Sequence, residues 1–145
     1  MKKLKVKIKK HVKFAEVPKY QTSGSSGMDI SSAEYKVIKP GCVGLVSTGL
    51  SVQVPKGYEM QVRPRSGLAL KKSISVINSP GTVDSDYTGI VGVILVNHGG
   101  DEFVIHEGDR IAQIVFCPVA QANLVEVDSL DDTDRGDGGF GSTGV

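Results

Sequence analysis

The stretch NSPGTVDSDYTGIVGVILVN, residues 78–97, carries most of what the chain says about its fold. It starts near a turn pair, Pro80-Gly81, passes through Asp84-Ser85-Asp86, and from Ile90 becomes the apolar run IVGVILV. A short aliphatic and β-branched run bounded by turn residues suits a strand and is far too short to span a bilayer. With Thr82-Val83 as the outgoing arm and Tyr87–Gly89 as the tip, the segment reads as a β-hairpin. Asp84 and Asp86 stand two residues apart and point the same way if the backbone is extended. Two readings follow: an acidic, solubilising tip, or a carboxylate held on rigid backbone as a general base.

Outward from there the pattern repeats. YKVI, CVGLV, LSVQV, YEMQV, ISVI, FVIH, RIAQIVF and NLVEV are short apolar or β-branched runs, separated by Pro40-Gly41, Pro55-Lys56-Gly57, Gly99-Gly100 and Glu107-Gly108. Many short strands without a long amphipathic helix predict an all-β domain, a sandwich of the jelly-roll kind. GLALKK, residues 67–72, is the one place that admits a helical turn or two. At the N-terminus MKKLKVKIKKHVKF alternates, with Leu4, Val6, Ile8, Val12 and Phe14 on one face and lysines with His11 on the other, which predicts a half-buried strand. Seven lysines among the first thirteen residues suit either a nucleic-acid arm or an edge strand guarded against pairing, and the alternation supplies the second. In GDRIAQIVF alternation would put Arg110, Ala112 and Ile114 on one face and Ile111, Gln113 and Val115 on the other; a plain core strand reads the same way.

The totals bound the answer. A chain of 145 residues makes one domain, and 39% apolar with 23% charged residues is a globular composition. A net charge of +1 argues against nucleic-acid binding by bulk electrostatics, and neither a secretory signal nor a membrane span is expected. Cys42 and Cys117 lie far apart with no C-x-x-C, so they are expected as reduced, small core residues in the cytoplasm, with no ligand set for zinc. His11, His98 and His106 adjoin no nucleophile and are expected in strands or loops. The compact body is expected over 1–127, and an acidic, then glycine-rich, tail over 128–145. Its last part, RGDGGFGSTGV, has five glycines among residues 136–144 and too little apolar surface to offset its own ordering entropy. It is either a mobile terminus or an arm that orders on something anionic.

Arginine is sparse, four residues against thirteen lysines, and each of Arg63, Arg65, Arg110 and Arg135 lies by a glycine-bearing turn or in the tail. In RPRSGLAL, Arg65, Ser66 and Gly67 bring a guanidinium, a hydroxyl and an unobstructed backbone N–H to one place, a combination suited to phosphate; an Arg-Ser-Gly turn is also often only a turn. Asp86 with Arg110 would brace the hairpin, the alternative being two separately solvated charges.

It is the order of the motifs that is specific. SGMDISSA, RPRSGLAL, NSPGTVDSDY, GDRIAQ and RGDGGFGSTG succeed one another after the first strand, and the series resembles the five motifs of the trimeric deoxyuridine triphosphatases, the dUTPase family. The resemblance implies a homotrimer of jelly-roll subunits, with each of three active sites shared between chains, that hydrolyses dUTP to dUMP and pyrophosphate with Mg²⁺. Such an activity limits uracil in DNA and supplies dUMP for thymidylate synthesis. By the same resemblance Asp84 is the general base, Tyr87 packs on the deoxyribose, and Asn78 with the backbone of Thr82, Val83 and Gly92 reads uracil. Arg65, Ser66, Gly67 and Gln113 contact phosphates and water, and Asp29 touches the hydrated metal through water. The tail closes over a neighbour's site, Arg135 meeting the γ-phosphate, Phe140 covering the base, and Gly141, Ser142 and Thr143 donating to phosphate. The tail has no Lys of a Walker loop. Met28, Thr88 and Ile90 depart from the residue types common in the family. The sister branch, the dCTP deaminases, needs a glutamate on the strand after the hairpin, where Val91-Gly92-Val93-Ile94-Leu95 offers no carboxylate. An inactive relative serving as a nucleotide sensor is the other alternative, and Asp84, Tyr87, Arg65 and Arg135 are all present against it.

Overall fold

A computed structural model of the chain describes residues 3–144; Met1 and Lys2 of the lysine-rich start and Val145 of the tail lie outside the described residues. Two four-stranded sheets carry the fold. One has the order β1-β4-β8-β6, with β1 Lys7–Lys10, β4 Val43–Gln53, β8 Ile90–Asn97 and β6 Ile74–Val76. The other has the order β2-β10-β5-β7, with β2 Met28–Ser31, β10 Arg110–Pro118, β5 Tyr58–Arg63 and β7 Gly81–Val83. A two-stranded ribbon pairs β3 Lys36–Ile38 with β9 Phe103–Ile105, and every pairing is antiparallel. The expected all-β, jelly-roll-like sandwich is the observed architecture.

Both sheets feed one hydrophobic cluster, because alternation gives each an apolar inner face. In β8, Val91, Val93 and Leu95 are buried while Ile90 and Gly92 are exposed. Val46, Leu50 and Val52 of β4 join them from the first sheet, and Ile30, Met60, Val62 and Ile114 from the second. Asn97 ends β8 inside the protein with its amide satisfied: it donates to the carbonyls of Ile38 (2.9 Å) and Asp101 (2.8 Å) and accepts from the Gly99 N–H (2.9 Å).

CVGLV and LSVQV turn out to be one strand, β4. It bends between Ser47 and Ser51, where the register with β8 shifts and Gly49 takes φ 64°. A side chain on Gly49 would also meet Val12 at 2.9 Å, so two constraints require glycine there. The helix expected in GLALKK is α1, Ser66–Lys72, with Lys71 and Lys72 in its last turn, where positive charge is favoured, and Ser73 closing it at φ 57°.

Several expectations are corrected. The N-terminal strand is shorter than its alternation: β1 covers Lys7–Lys10, all four residues exposed, and the chain turns at residues 11–14, leaving Phe14 52% exposed. The segments flanking Asp84 do not make a two-stranded hairpin. β7 pairs with β5 and β8 with β4 and β6, so residues 78–89 arch from one sheet past the other and back. β10 does not alternate strictly, because a bulge between Arg110 and Ala112 inserts Ile111 and buries both Ile111 and Ala112. NLVEV is no strand; it pairs with no strand among the described residues, and Leu124 and Val125 are 91% and 72% exposed. Nor are the cysteines core residues: Cys42 follows the Pro40-Gly41 turn and is exposed, and Cys117, near the end of β10, is half-buried. After Pro118 the described chain contains neither strand nor helix.

Candidate active site

β10 is the organising strand of the first cluster. It lies between β2 and β5 and sets Asp29 opposite Gln113 on one side and Arg63 opposite Gln113 on the other. Beyond Arg63 the chain passes Pro64 and turns into α1 at Arg65, so the end of β5 delivers Arg65, Ser66 and Gly67 to the level of Asp29 and Gln113. Asp29 accepts from two guanidinium groups, Arg65 Nε at Oδ1 (2.9 Å) and Arg110 Nη1 at Oδ2 (3.2 Å). Arg65 Nη1 donates to the Arg110 carbonyl (3.1 Å), and Gln113 Nε2 to the Pro64 carbonyl (2.9 Å). A Cβ on Gly27 would fall 2.5 Å from Gln113 Oε1, so the glycine makes room for that amide. Asp29 and Arg65 are both about one-fifth exposed, ordered yet open to solvent on one side.

The arch of residues 78–89 forms a second group. The Ile77 N–H bonds to the Ile94 carbonyl (3.0 Å), and after it the chain turns, with the Asn78 amide 3.2 Å from where a Cβ on Gly81 would stand. Thr82 and Val83 run beside β5, and Asp84 follows them, exposed. The Tyr87 N–H bonds to the Asp84 carbonyl (3.2 Å), and the Tyr87 hydroxyl donates to the Ile90 carbonyl (2.9 Å). The Tyr87 ring lies over Gly89, where a Cβ would stand 2.5 Å from its hydroxyl oxygen. Gly92 presents bare backbone on the outer face of β8, with the tip of Leu45 2.6 Å from where its Cβ would be.

The two groups do not meet within one chain. Val83 pairs with Met60, so Asp84 stands level with Glu59, while Arg65 lies past the other end of β5 at Arg63. Glu59 and Arg63 lie about four residue steps apart along the strand, roughly 14 Å at about 3.4 Å per residue, and Arg65 lies beyond Arg63. The tail is a third group. The bonds made by Arg135 Nε to the Gly138 carbonyl (2.7 Å) and by the Ser142 N–H to the Gly139 carbonyl (3.0 Å) stay within it. Phe140, at φ 51°, is fully exposed, and Gly141 and Thr143 are exposed beside it.

Asp29, Arg65, Ser66, Gly67 and Gln113 are thus brought together; Asn78, Thr82, Val83, Asp84, Tyr87 and Gly92 lie along the arch and the strand after it; Arg135, Phe140, Gly141, Ser142 and Thr143 stand apart. The expected brace between Asp86 and Arg110 is absent: Asp29 holds Arg110, and Asp86 has no ion pair among the described residues. Sequence reasoning missed Arg110 as a partner of Asp29 and Gly89 as the floor under Tyr87. The GDR triplet at the head of a strand was the available signal for Arg110. Among the described residues no three His, Cys, Asp or Glu side chains gather as a metal site, and both oxygens of Asp29 are already engaged by arginine. Such a carboxylate fits a hydrated divalent ion that arrives on an anionic ligand and is met through water.

The dUTPase family model matches residues 13–144. The chain belongs to the dUTPase family. Over 141 residues it is 52% identical to the deoxyuridine 5'-triphosphate nucleotidohydrolase of Nautilia profundicola, covering 97% of this chain and 99% of that protein. The corresponding protein of Helicobacter pylori is 53% identical over 142 residues, 98% of each chain. Among solved structures, the dUTPase of Staphylococcus bacteriophage 80alpha with dUpNHpp superposes with a TM-score of 0.90 at 27% identity, covering 97% of this chain and 99% of that one. A mutant dUTPase from phage phi11 of S. aureus, described with a structural Mg(II) ion, has a TM-score of 0.82 at 23% identity over 88% of this chain and 99% of its own, a likeness of fold alone. Membership of the dUTPase family accounts for the order of the motifs along the chain.

Proposed function

We propose that the protein hydrolyses dUTP, bound with Mg²⁺, to dUMP and pyrophosphate, at sites each completed by residues from more than one copy of the chain. The observation that carries this reading is the division of the chain's own groups: an exposed carboxylate beside an open strand backbone at one end of β5, and an arginine-rich corner at the other. Apposed copies would bring one chain's arch next to another's corner, so that a single nucleotide could lie compactly across both. Three such copies make the homotrimer that the family resemblance implies, and the tail of a third chain is long and unattached enough to reach over the site.

In this reading uracil lies along Asn78, the backbone of Thr82 and Val83, and Gly92. The acceptor, donor, acceptor series on the edge of uracil matches what strand backbone and an amide offer, and Gly92 admits close approach. Tyr87, anchored through its hydroxyl to the Ile90 carbonyl, presents its ring to the sugar and leaves no room for a 2′-hydroxyl. Asp84 accepts a proton from a water, whose oxygen attacks the α-phosphorus in line. The bond from that phosphorus to the α,β-bridging oxygen breaks, and pyrophosphate leaves. Arg65, the Ser66 hydroxyl, the Gly67 N–H and Gln113 hold the phosphates. Asp29 would hold Mg²⁺ through water, and the bound ion would supply charge neutralisation to the phosphates. The tail then closes, Arg135 on the γ-phosphate, Phe140 over the base, and Gly141, Ser142 and Thr143 donating to phosphate, which excludes bulk water. The substrate is a soluble nucleotide, and the reading places the enzyme in the cytoplasm without nucleic acid or membrane as a partner; no described helix is long and apolar enough to cross a membrane.

Pyrophosphate release from dUTP, dCTP, dTTP and UTP, each with and without Mg²⁺, tests the reading. Release from dUTP that requires Mg²⁺ is expected, with the other three far behind. An intact dUTP in the presence of Mg²⁺ ends it. Ammonia release from dCTP is not expected, since Val91–Leu95 of β8 carry no carboxylate.

A further inference from the structure

Arg110 has no part in the reaction just described, yet the chain holds it with unusual care. The turn before it is fixed at three points: the Gly108 N–H donates to the Ser32 carbonyl (2.8 Å), the Ser32 N–H to the Asp109 carbonyl (2.8 Å), and the His106 N–H to Asp109 Oδ2 (2.8 Å). Gly108 sits at φ 86°, a conformation glycine adopts without strain. The bulge that inserts Ile111 follows at once, interrupting the ladder where Arg110 enters β10. At that interruption Arg110 touches both charged members of the corner, its carbonyl accepting from Arg65 Nη1 (3.1 Å) and its Nη1 donating to Asp29 (3.2 Å).

We propose that the Arg110 side chain is a positioning residue for the triphosphate, holding Asp29 through its guanidinium and, through Asp29, the direction of Arg65. The inference rests on the reading of this corner as the phosphate site. Two consequences follow from the geometry. Arg65 is oriented by Nε on Asp29 and one Nη1 hydrogen on Arg110, which leaves three of the five N–H donors of a guanidinium for phosphate and spares the rotamer entropy of finding that pose on binding. Charge is the second. Two guanidinium groups and one carboxylate sum to one positive charge, whereas Asp29 and Arg65 alone would cancel and present no net attraction to a polyanion.

The test uses the full chain and the variants Arg110→Gln, Arg110→Lys, Arg65→Gln and the Arg65→Gln/Arg110→Gln double. Calorimetry measures binding of dUpNHpp with Mg²⁺ and, separately, of dUMP, and steady-state kinetics separates KM from kcat. Arg110→Gln is expected to weaken dUpNHpp tenfold or more, to leave dUMP within about twofold, and to raise KM more than it lowers kcat. Arg110→Lys restores charge without the fork and is expected to recover part of the loss. In the Arg65→Gln background, Arg110→Gln is expected to cost clearly less than in the parent, because the part that runs through Asp29 to Arg65 is already lost while the charge part remains. Equal losses on dUMP and dUpNHpp, additive losses in the double variant, or an Arg110→Gln protein that binds dUpNHpp like the parent would each overturn the proposal. Should Arg110→Gln fail to fold, Arg110→Lys decides: unchanged dUpNHpp binding, or a loss shared by dUMP, counts against it. Hydrolysis of dUTP by the unmodified protein keeps these failures distinct, since a parent that leaves dUTP intact removes the underlying reading instead.

Discussion

On the proposed reading the corner around Asp29 and the tail after Asp134 would both bring arginine to phosphate, and they are built in opposite ways. Arg65 is tied into a network with Asp29 and Arg110 on strands that share the core, so its pose exists before any ligand arrives. Among the described residues Arg135 bonds within its own turn, its Nε donating to the Gly138 carbonyl and its carbonyl accepting from the Gly138 N–H, in a segment with five glycines among residues 136–144. On that reading the first arrangement would lower the cost of binding, and the second would make closure conditional on a ligand with enough charge to order the tail. A site divided this way would bind through its prebuilt half and commit through its tail.

The largest effect belongs to neither half, and it separates them from the chemistry. Asp84→Asn is expected to lower turnover by about three powers of ten, as loss of a general base does, while dUpNHpp still binds near the parent affinity. Single-turnover hydrolysis beside calorimetry measures it. Near-normal turnover removes Asp84 from its role. Because that variant leaves substrate intact, the contributions of corner and tail to binding can be compared in its background with dUTP itself.

Truncation after Asp134 tests the contrast directly. The body should keep its oligomeric state and its Tm within a degree or two, since no bond of Arg135, Gly138 or Ser142 reaches it, while kcat/KM falls about a hundredfold or more. Differential scanning fluorimetry and initial rates read both quantities. A truncate with full activity would reduce the tail to a mobile terminus, and one that melted early would mean that it braces the fold.

The two halves also differ in how far the sequence revealed them. Asp29, Arg65, Ser66, Gly67 and Gln113 lie in short linear motifs, and their proximity follows once β2, β5 and β10 are adjacent. β8 was legible for the same local reason, its alternation of Val91, Val93 and Leu95 with Ile90 and Gly92. The partners of a strand are set at long range, and there local reading fails. Val83 pairs with Met60 instead of returning on Ile90, so a segment with hairpin composition became an arch between sheets. The ion pair between Asp29 and Arg110 spans 81 residues, and no local pattern distinguishes it from the expected pair with Asp86. NLVEV has strand composition yet pairs with no strand among the described residues, and Leu124 and Val125 stay exposed.

A smaller perturbation reaches the rigid half without touching a charged group. Gly27→Ala places a methyl where Gln113 Oε1 now lies, 2.5 Å from it, and the amide must swing away from the Pro64 carbonyl it bonds. The displaced atom is the end of a flexible side chain, so stability should change by less than about 1 kcal/mol, the usual value of one intramolecular hydrogen bond. KM for dUTP is expected to rise about tenfold with Tm nearly constant. An unchanged KM would show that Gln113 does not hold phosphate, and the corner would then depend on its arginines alone.

The smallest expected effect tests whether the arch is prebuilt like the corner. The Tyr87 hydroxyl is spent on the Ile90 carbonyl at 2.9 Å, in a bond exposed to water, and it is the ring over Gly89 that faces outward. Tyr87→Phe keeps the ring and the glycine beneath it and removes a solvent-competed hydrogen bond worth at most about 1 kcal/mol. It should therefore lower kcat/KM for dUTP by no more than about threefold and leave the preference over UTP intact, measured as the ratio of the two kcat/KM values. A collapse of that ratio would mean that the hydroxyl, rather than packing against Gly89, sets the ring; the arch would then resemble the tail in taking its working shape from a single tether.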